Sequence, residues 1–72
     1  MNVRTLVGRT VIAVLTDEES IKGTVEPAST KDTFVLSRPL VMAEHGDGPA
    51  RETTADGEVW IPLASVRWVQ VI

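Results

Sequence analysis

The chain's single histidine, His45, stands between Glu44 and Asp47, and only here does an imidazole lie beside carboxylates, the raw material of a metal site or an acid–base pair. One imidazole in a glycine-rich stretch supplies neither the ligand number nor the rigidity that coordination needs, and a solvated loop accounts for the same residues. The acids Glu44, Asp47, Glu52, Asp56 and Glu58 could ligate calcium in principle, but their spacing fits no compact oxygen-ligand loop. Nucleophilic catalysis has less still to work with: no Cys, no Tyr, and no Ser in a motif that would bring the histidine to it. The expectation is a protein that is not an enzyme and holds no metal and no cofactor.

Binding chemistry remains. Ten acidic residues against seven basic ones give a net charge of −3, and the basic residues, Arg4, Arg9, Lys22, Lys31, Arg38, Arg51 and Arg67, are scattered along the chain. Non-specific nucleic-acid binding rests on a concentrated positive field, so only folding, or several copies placed around a common pore, could build one here. Arg9, Lys31 and Arg38 are the candidates for such contacts. Trp60 and Trp68 are the other informative residues. Packing in a small core and contact with a subunit or partner both fit them, since Trp is enriched where binding energy concentrates.

The scaffold that must position these residues is one domain, spanning 1–72. A chain of this length buries only about 60% of the surface it exposes when unfolded. With no cysteine to form a disulfide, oligomerisation is the expected support. No apolar run approaches the ~20 residues that span a bilayer, and the N-terminus lacks the basic-then-apolar order of a signal peptide. A soluble, unprocessed protein, not secreted by a signal peptide and not in a membrane, follows as the expectation.

The stretch Leu6 to Val25 organises the rest. Asn2 is placed to cap a short helical turn over Val3 to Val7, which Gly8 ends by taking positive φ. Thr10 to Leu15 is a strand apolar on both alternations, Thr16 to Ser20 an acidic turn, and Ile21 to Glu26 a strand alternating apolar Ile21 and Val25 with polar Lys22, Thr24 and Glu26. Gly23 inside that strand predicts a bend or a close backbone approach. Thr33 to Ser37 resumes the sheet, with Phe34 and Leu36 opposite in facing to Val35, and Leu40 to Ala43 reads as its continuation past a kink at Pro39. Residues 45–57, with three glycines and a proline, read as a flexible loop. Glu58 to Leu63 and Ser65 to Ile72 are the final strands, bent sharply apart at Pro62 to Ala64; the last is apolar on both faces, Val66, Trp68 and Ile72 on one, Val69 and Val71 on the other. The expected fold is all-β: a small, five-stranded, strongly bent antiparallel barrel with a short N-terminal helical turn.

This pattern resembles the Sm-like family of small, SH3-like barrels. Its first motif is matched by Gly8, the apolar strand Val11 to Val14, Leu15, Asp17, Gly23 and Leu36, without a gap between Leu6 and Leu36, and its second, in pattern only, by Val59 to Ile61 and Val66 to Val69. The resemblance implies a closed ring, a hexamer or heptamer, in which the last strand of one subunit pairs with the fourth strand of the next. Val59, Trp60, Ile61, Val66, Trp68, Val69 and Val71 would then be interface residues. The family's RNA pocket is not matched. Its usual Asp is Ser29 here, its Asn is Thr33, and its Arg-Gly falls at Pro62 and Leu63, none of which reads a base edge or stacks on it. The functional expectation is therefore a ring-forming scaffold acting through protein partners, cytoplasmic or virion-associated, with a bacteriophage structural or assembly component as one concrete form. An RNA- or DNA-binding protein using a basic rim or pore is the alternative.

Overall fold

The structure, a computed structural model, describes residues 1–16, 18–43, 51–54 and 57–72. It is all-β. Its strands are β1 (Thr10–Val14), β2 (Glu19–Val25), β3 (Thr33–Ala43), β4 (Arg51–Thr54), β5 (Glu58–Pro62) and β6 (Trp68–Val71), joined in one antiparallel sheet of order β4-β3-β2-β1-β6 with β5 also on β3. β4 and β5 run end to end along one edge of β3, with Leu40 opposite Thr54 and Ser37 opposite Glu58. They form a fourth strand divided in two, so the sheet is five strands wide. The expected 45–57 loop is corrected at Arg51–Thr54, which are strand paired to Leu40–Ala43; positions 45–50, 55 and 56 lie outside the described residues.

The apolar alternation decides which face of each strand is buried. Val11 and Ala13 of β1, Ile21 and Val25 of β2, Phe34 and Leu36 of β3 and Ile61 of β5 converge with Val3 into the core. The N-terminal turn is a 3₁₀ turn over Val3–Leu6, one residue shorter than the sequence suggested, with the Asn2 side chain accepting from the Arg4 amide at 3.0 Å. Gly8, at φ +86°, ends the turn and sends the chain into β1. Val3 is fully buried and its amide donates to the Lys31 carbonyl at 3.0 Å, which lays the turn across one end of the core.

A bulge makes the sheet bend. Between Lys22 and Thr24 the partner on β3 jumps from Leu40 to Ser37, so β3 uses Arg38 and Pro39 where β2 uses only Gly23. Arg38 takes the left-handed region at φ 51°, and the extra residue switches facing, so that Leu36 and Val41 both point to the core. A side chain at Gly23 would bring Cβ to 2.9 Å from the Leu36 Cβ and 3.0 Å from the Ser37 carbonyl oxygen, so the close approach expected at this glycine is realised. β5 and β6 are linked by a 3₁₀ turn over Leu63–Ser65, where the sharp bend was expected.

Candidate assembly surface

Among the described residues no ladder joins β5 to β6, so the bent sheet has a seam with an open strand edge on either side. The hydrogen-bond phase identifies the groups on each edge. The Ile72 amide donates to the Thr10 carbonyl at 2.9 Å. By the two-residue period of an antiparallel ladder, Gln70 and Trp68 turn their bonding groups toward β1, and Val69 and Val71 turn theirs to the open side. At the other edge the Leu63 amide donates to the Asp32 carbonyl at 2.8 Å, so Ile61 and Val59 bond toward β3 while Glu58, Trp60 and Pro62 face outward. Pro62 is tolerated in the strand because its missing N–H falls on that outward side.

The side chains expected at an interface divide by facing. Ile61 is only 4% exposed and belongs to the chain's own core, which corrects its assignment as an interface side chain. Val59, Val66 and Val69 are half-buried and pack against the same core. Trp60, Trp68 and Val71 are exposed at 63%, 57% and 40%, and Ile72, absent from the expected interface residues, at 58%. Core packing, one of two readings open for the tryptophans, is therefore not their role within this chain. Trp60 lies opposite Val35 on the outward face at one edge, and Trp68 opposite Val14 on the outward face at the other. Beside Trp68, half-buried Val14 and Ile12 of β1 share its outward face, and Ser20 and Lys22 of β2 separate them from Met42 and Leu40 of β3.

The position at which the Sm-like resemblance looked for an acidic pocket residue serves the fold instead. Ser29 is 1% exposed; its Oγ accepts from the Val35 amide at 2.9 Å and donates to the Val35 carbonyl at 3.4 Å. This pins the 27–30 turn over the outward side of Val35, which is fully buried although it points away from the core. Arg4 clamps the turn from outside, its Nη1 donating to the carbonyls of Pro27 at 3.1 Å and Ser29 at 2.9 Å. Thr33 and Pro62 stand opposite each other in the β3–β5 ladder.

The candidate cations are separated. Arg9 and Lys31 are exposed at the end covered by the N-terminal turn, and Arg38 is exposed on the β3 bulge. His45, Glu44, Asp47 and Asp56 lie outside the described residues, and no cluster of three or more possible metal ligands occurs among those described. No helix among them is long and apolar enough to cross a membrane. The edge position of Glu58 was not singled out from sequence, although Pro62 four residues on carried the signal, since a proline inside a strand marks an outward-facing amide position. No family model matches the sequence, and no curated protein matches it at a significant level.

Proposed function

We propose that this chain is a non-enzymatic scaffold subunit that assembles with copies of itself into a closed ring and works through protein partners, as in a bacteriophage particle or its assembly machinery. The observation that carries the reading is the open seam, with two strand edges of one small sheet unpaired among the described residues, each marked by an exposed tryptophan. A bare edge invites uncontrolled pairing, and a contact that joins one edge to the other, repeated around a rotation axis, leaves none bare. The small core supports the same conclusion, since a domain this size gains stability from a partner. The hexamer or heptamer implied by the Sm-like resemblance is the expected size.

The test is native mass at micromolar concentration and moderate salt. A discrete ring-sized oligomer free of nucleic acid supports the proposal, and a monomer across the micromolar range refutes it. A basic rim around such a ring is the second reading, favoured by the exposure of Arg9 and Lys31 at one end of the barrel. It requires oligonucleotide binding that weakens steeply with salt and is lost in Arg9→Glu with Lys31→Glu.

A further inference from the structure

We infer that the outward face of β1, β2 and β3 docks an amphipathic helix of a partner protein, one whose apolar stripe carries a carboxylate placed to meet Lys22. The inference rests on the reading that this chain works through protein partners, and it names the surface and the partner's chemistry; it does not depend on the ring.

The ladders fix which residues face outward. Val11, Ala13, Ile21 and Val41 pack in or against the core, so their strand neighbours Ile12 and Val14 of β1, Ser20 and Lys22 of β2, and Leu40 and Met42 of β3 point away from it. An antiparallel sheet with one wet face carries polar residues there. β2 does so, whereas β1 and the second half of β3 do not. Ile12, Val14, Leu40 and Met42 are half-buried, yet they belong neither to the core nor to the side chains packed against it. At Val35 the chain covers an outward apolar side chain with its own 27–30 turn. On this face the apolar pairs stand on either side of β2 as two ridges, and Trp68, 57% exposed and opposite Val14, extends the one on β1.

The spacing of the ridges suits a helix. Ile12 and Leu40 stand opposite Lys22 from its two sides, two strand spacings apart, which is about 10 Å and close to the width of one α-helix. A helix laid along β2 touches both ridges at once. An extended peptide would need a strand edge, where backbone groups are free to bond it. Charge then selects among helices. Lys22 is half-buried between the ridges, and its ammonium has no hydrogen bond or ion pair among the described residues. A purely apolar cover would strip its water and return nothing, and a carboxylate in the stripe offsets that loss. A second copy laid face to face across a two-fold axis would instead set Lys22 against Lys22. Pairing at strand edges extends the sheet and stacks nothing on this face, so the ring leaves it open to a partner.

The probe is a labelled synthetic helix of about 18 residues with leucines along one stripe and a glutamate at its middle, beside a second form with lysine in place of the glutamate. Binding to the full chain is read by fluorescence anisotropy. The glutamate form is expected to bind the parent at least about tenfold more tightly than the lysine form, and Lys22→Glu is expected to reverse that preference. Met42→Asp is expected to abolish binding of both forms and to keep the parent's native mass. No binding by the glutamate form, or binding indifferent to the exchange of charges, overturns the inference, and the parent's native mass then decides the ring separately. A Met42→Asp protein that loses its oligomeric mass makes the face a contact between copies and overturns the inference too. A monomeric parent that still shows the charge reversal refutes the ring and supports the docking face.

Discussion

Replacing Gly23 by alanine tests whether the bend of the sheet is built from a close backbone approach. The new Cβ would lie 2.9 Å from the Leu36 Cβ and 3.0 Å from the Ser37 carbonyl oxygen. Neither neighbour can swing away, since one is the root of a fully buried side chain and the other is backbone. The strands must separate by several tenths of an ångström at the place where they bend most. Overpacking of this kind costs about 1–3 kcal/mol. Alanine also lowers the entropy of the unfolded chain, which returns about 0.4–1 kcal/mol, because Gly23 is not among the positive-φ glycines. The net is a destabilisation of about 1–2 kcal/mol, and at 4–8 °C per kcal/mol for a domain this small, a fall in Tm of about 5–15 °C. Far-UV circular dichroism at a fixed protein concentration is the assay. Tryptophan fluorescence suits it poorly, because Trp60 and Trp68 are already exposed in the folded chain. A Gly23→Ala protein as stable as the parent would refute the reasoning, and the bend would then have to be assigned to the Arg38–Pro39 bulge alone.

Two further substitutions separate the roles assigned above. Ser29→Ala leaves the buried Val35 amide without its 2.9 Å partner and should cost about 1–3 kcal/mol, read as a lower midpoint in urea; an unchanged midpoint would deny Ser29 its structural role. Ile61→Ala and Trp68→Ala should differ in kind: the first, at a 4% exposed core position, lowers stability by about 2–5 kcal/mol, while the second lowers native mass and leaves the stability of the dissociated chain within about 0.5 kcal/mol of the parent. Equal effects of the two on melting and on mass would erase the distinction between core and edge.

What the sequence displayed was the periodic part of the fold. Val11, Ala13, Ile21, Val25, Phe34 and Leu36 alternate with polar or outward residues, and a two-residue period reads directly as strand faces. Gly8 and Gly23 were legible because each has a conformational or steric reason to be glycine. Arg51–Thr54 were not, since four polar residues in a row leave no apolar period to read. Val35 and the tryptophans were hidden for a related reason. Val35 is covered by a turn held by Ser29, and the tryptophans stand exposed at their edges, so burial at these positions depends on tertiary contacts that side-chain type does not encode. Ile61 and Trp60 are adjacent and both apolar, yet one belongs to the core and the other to the edge. Only the ladder phase tells them apart.

That phase also explains why the seam is open. Five strands in antiparallel order give the two edge strands the same direction, so closing the sheet upon itself would require β5 and β6 to pair in parallel. A parallel pair needs a crossover of about a dozen residues or more, and here the strands are separated only by the Leu63–Ser65 turn and its two flanking residues. The short link makes the bend between the last two strands and at the same time forbids them from satisfying each other. Lengthening it would give the chain freedom to cover its own edges. Keeping it short holds Glu58, Trp60, Val69 and Val71 with bonding groups directed outward, on the two edges that the strand order leaves open among the described residues.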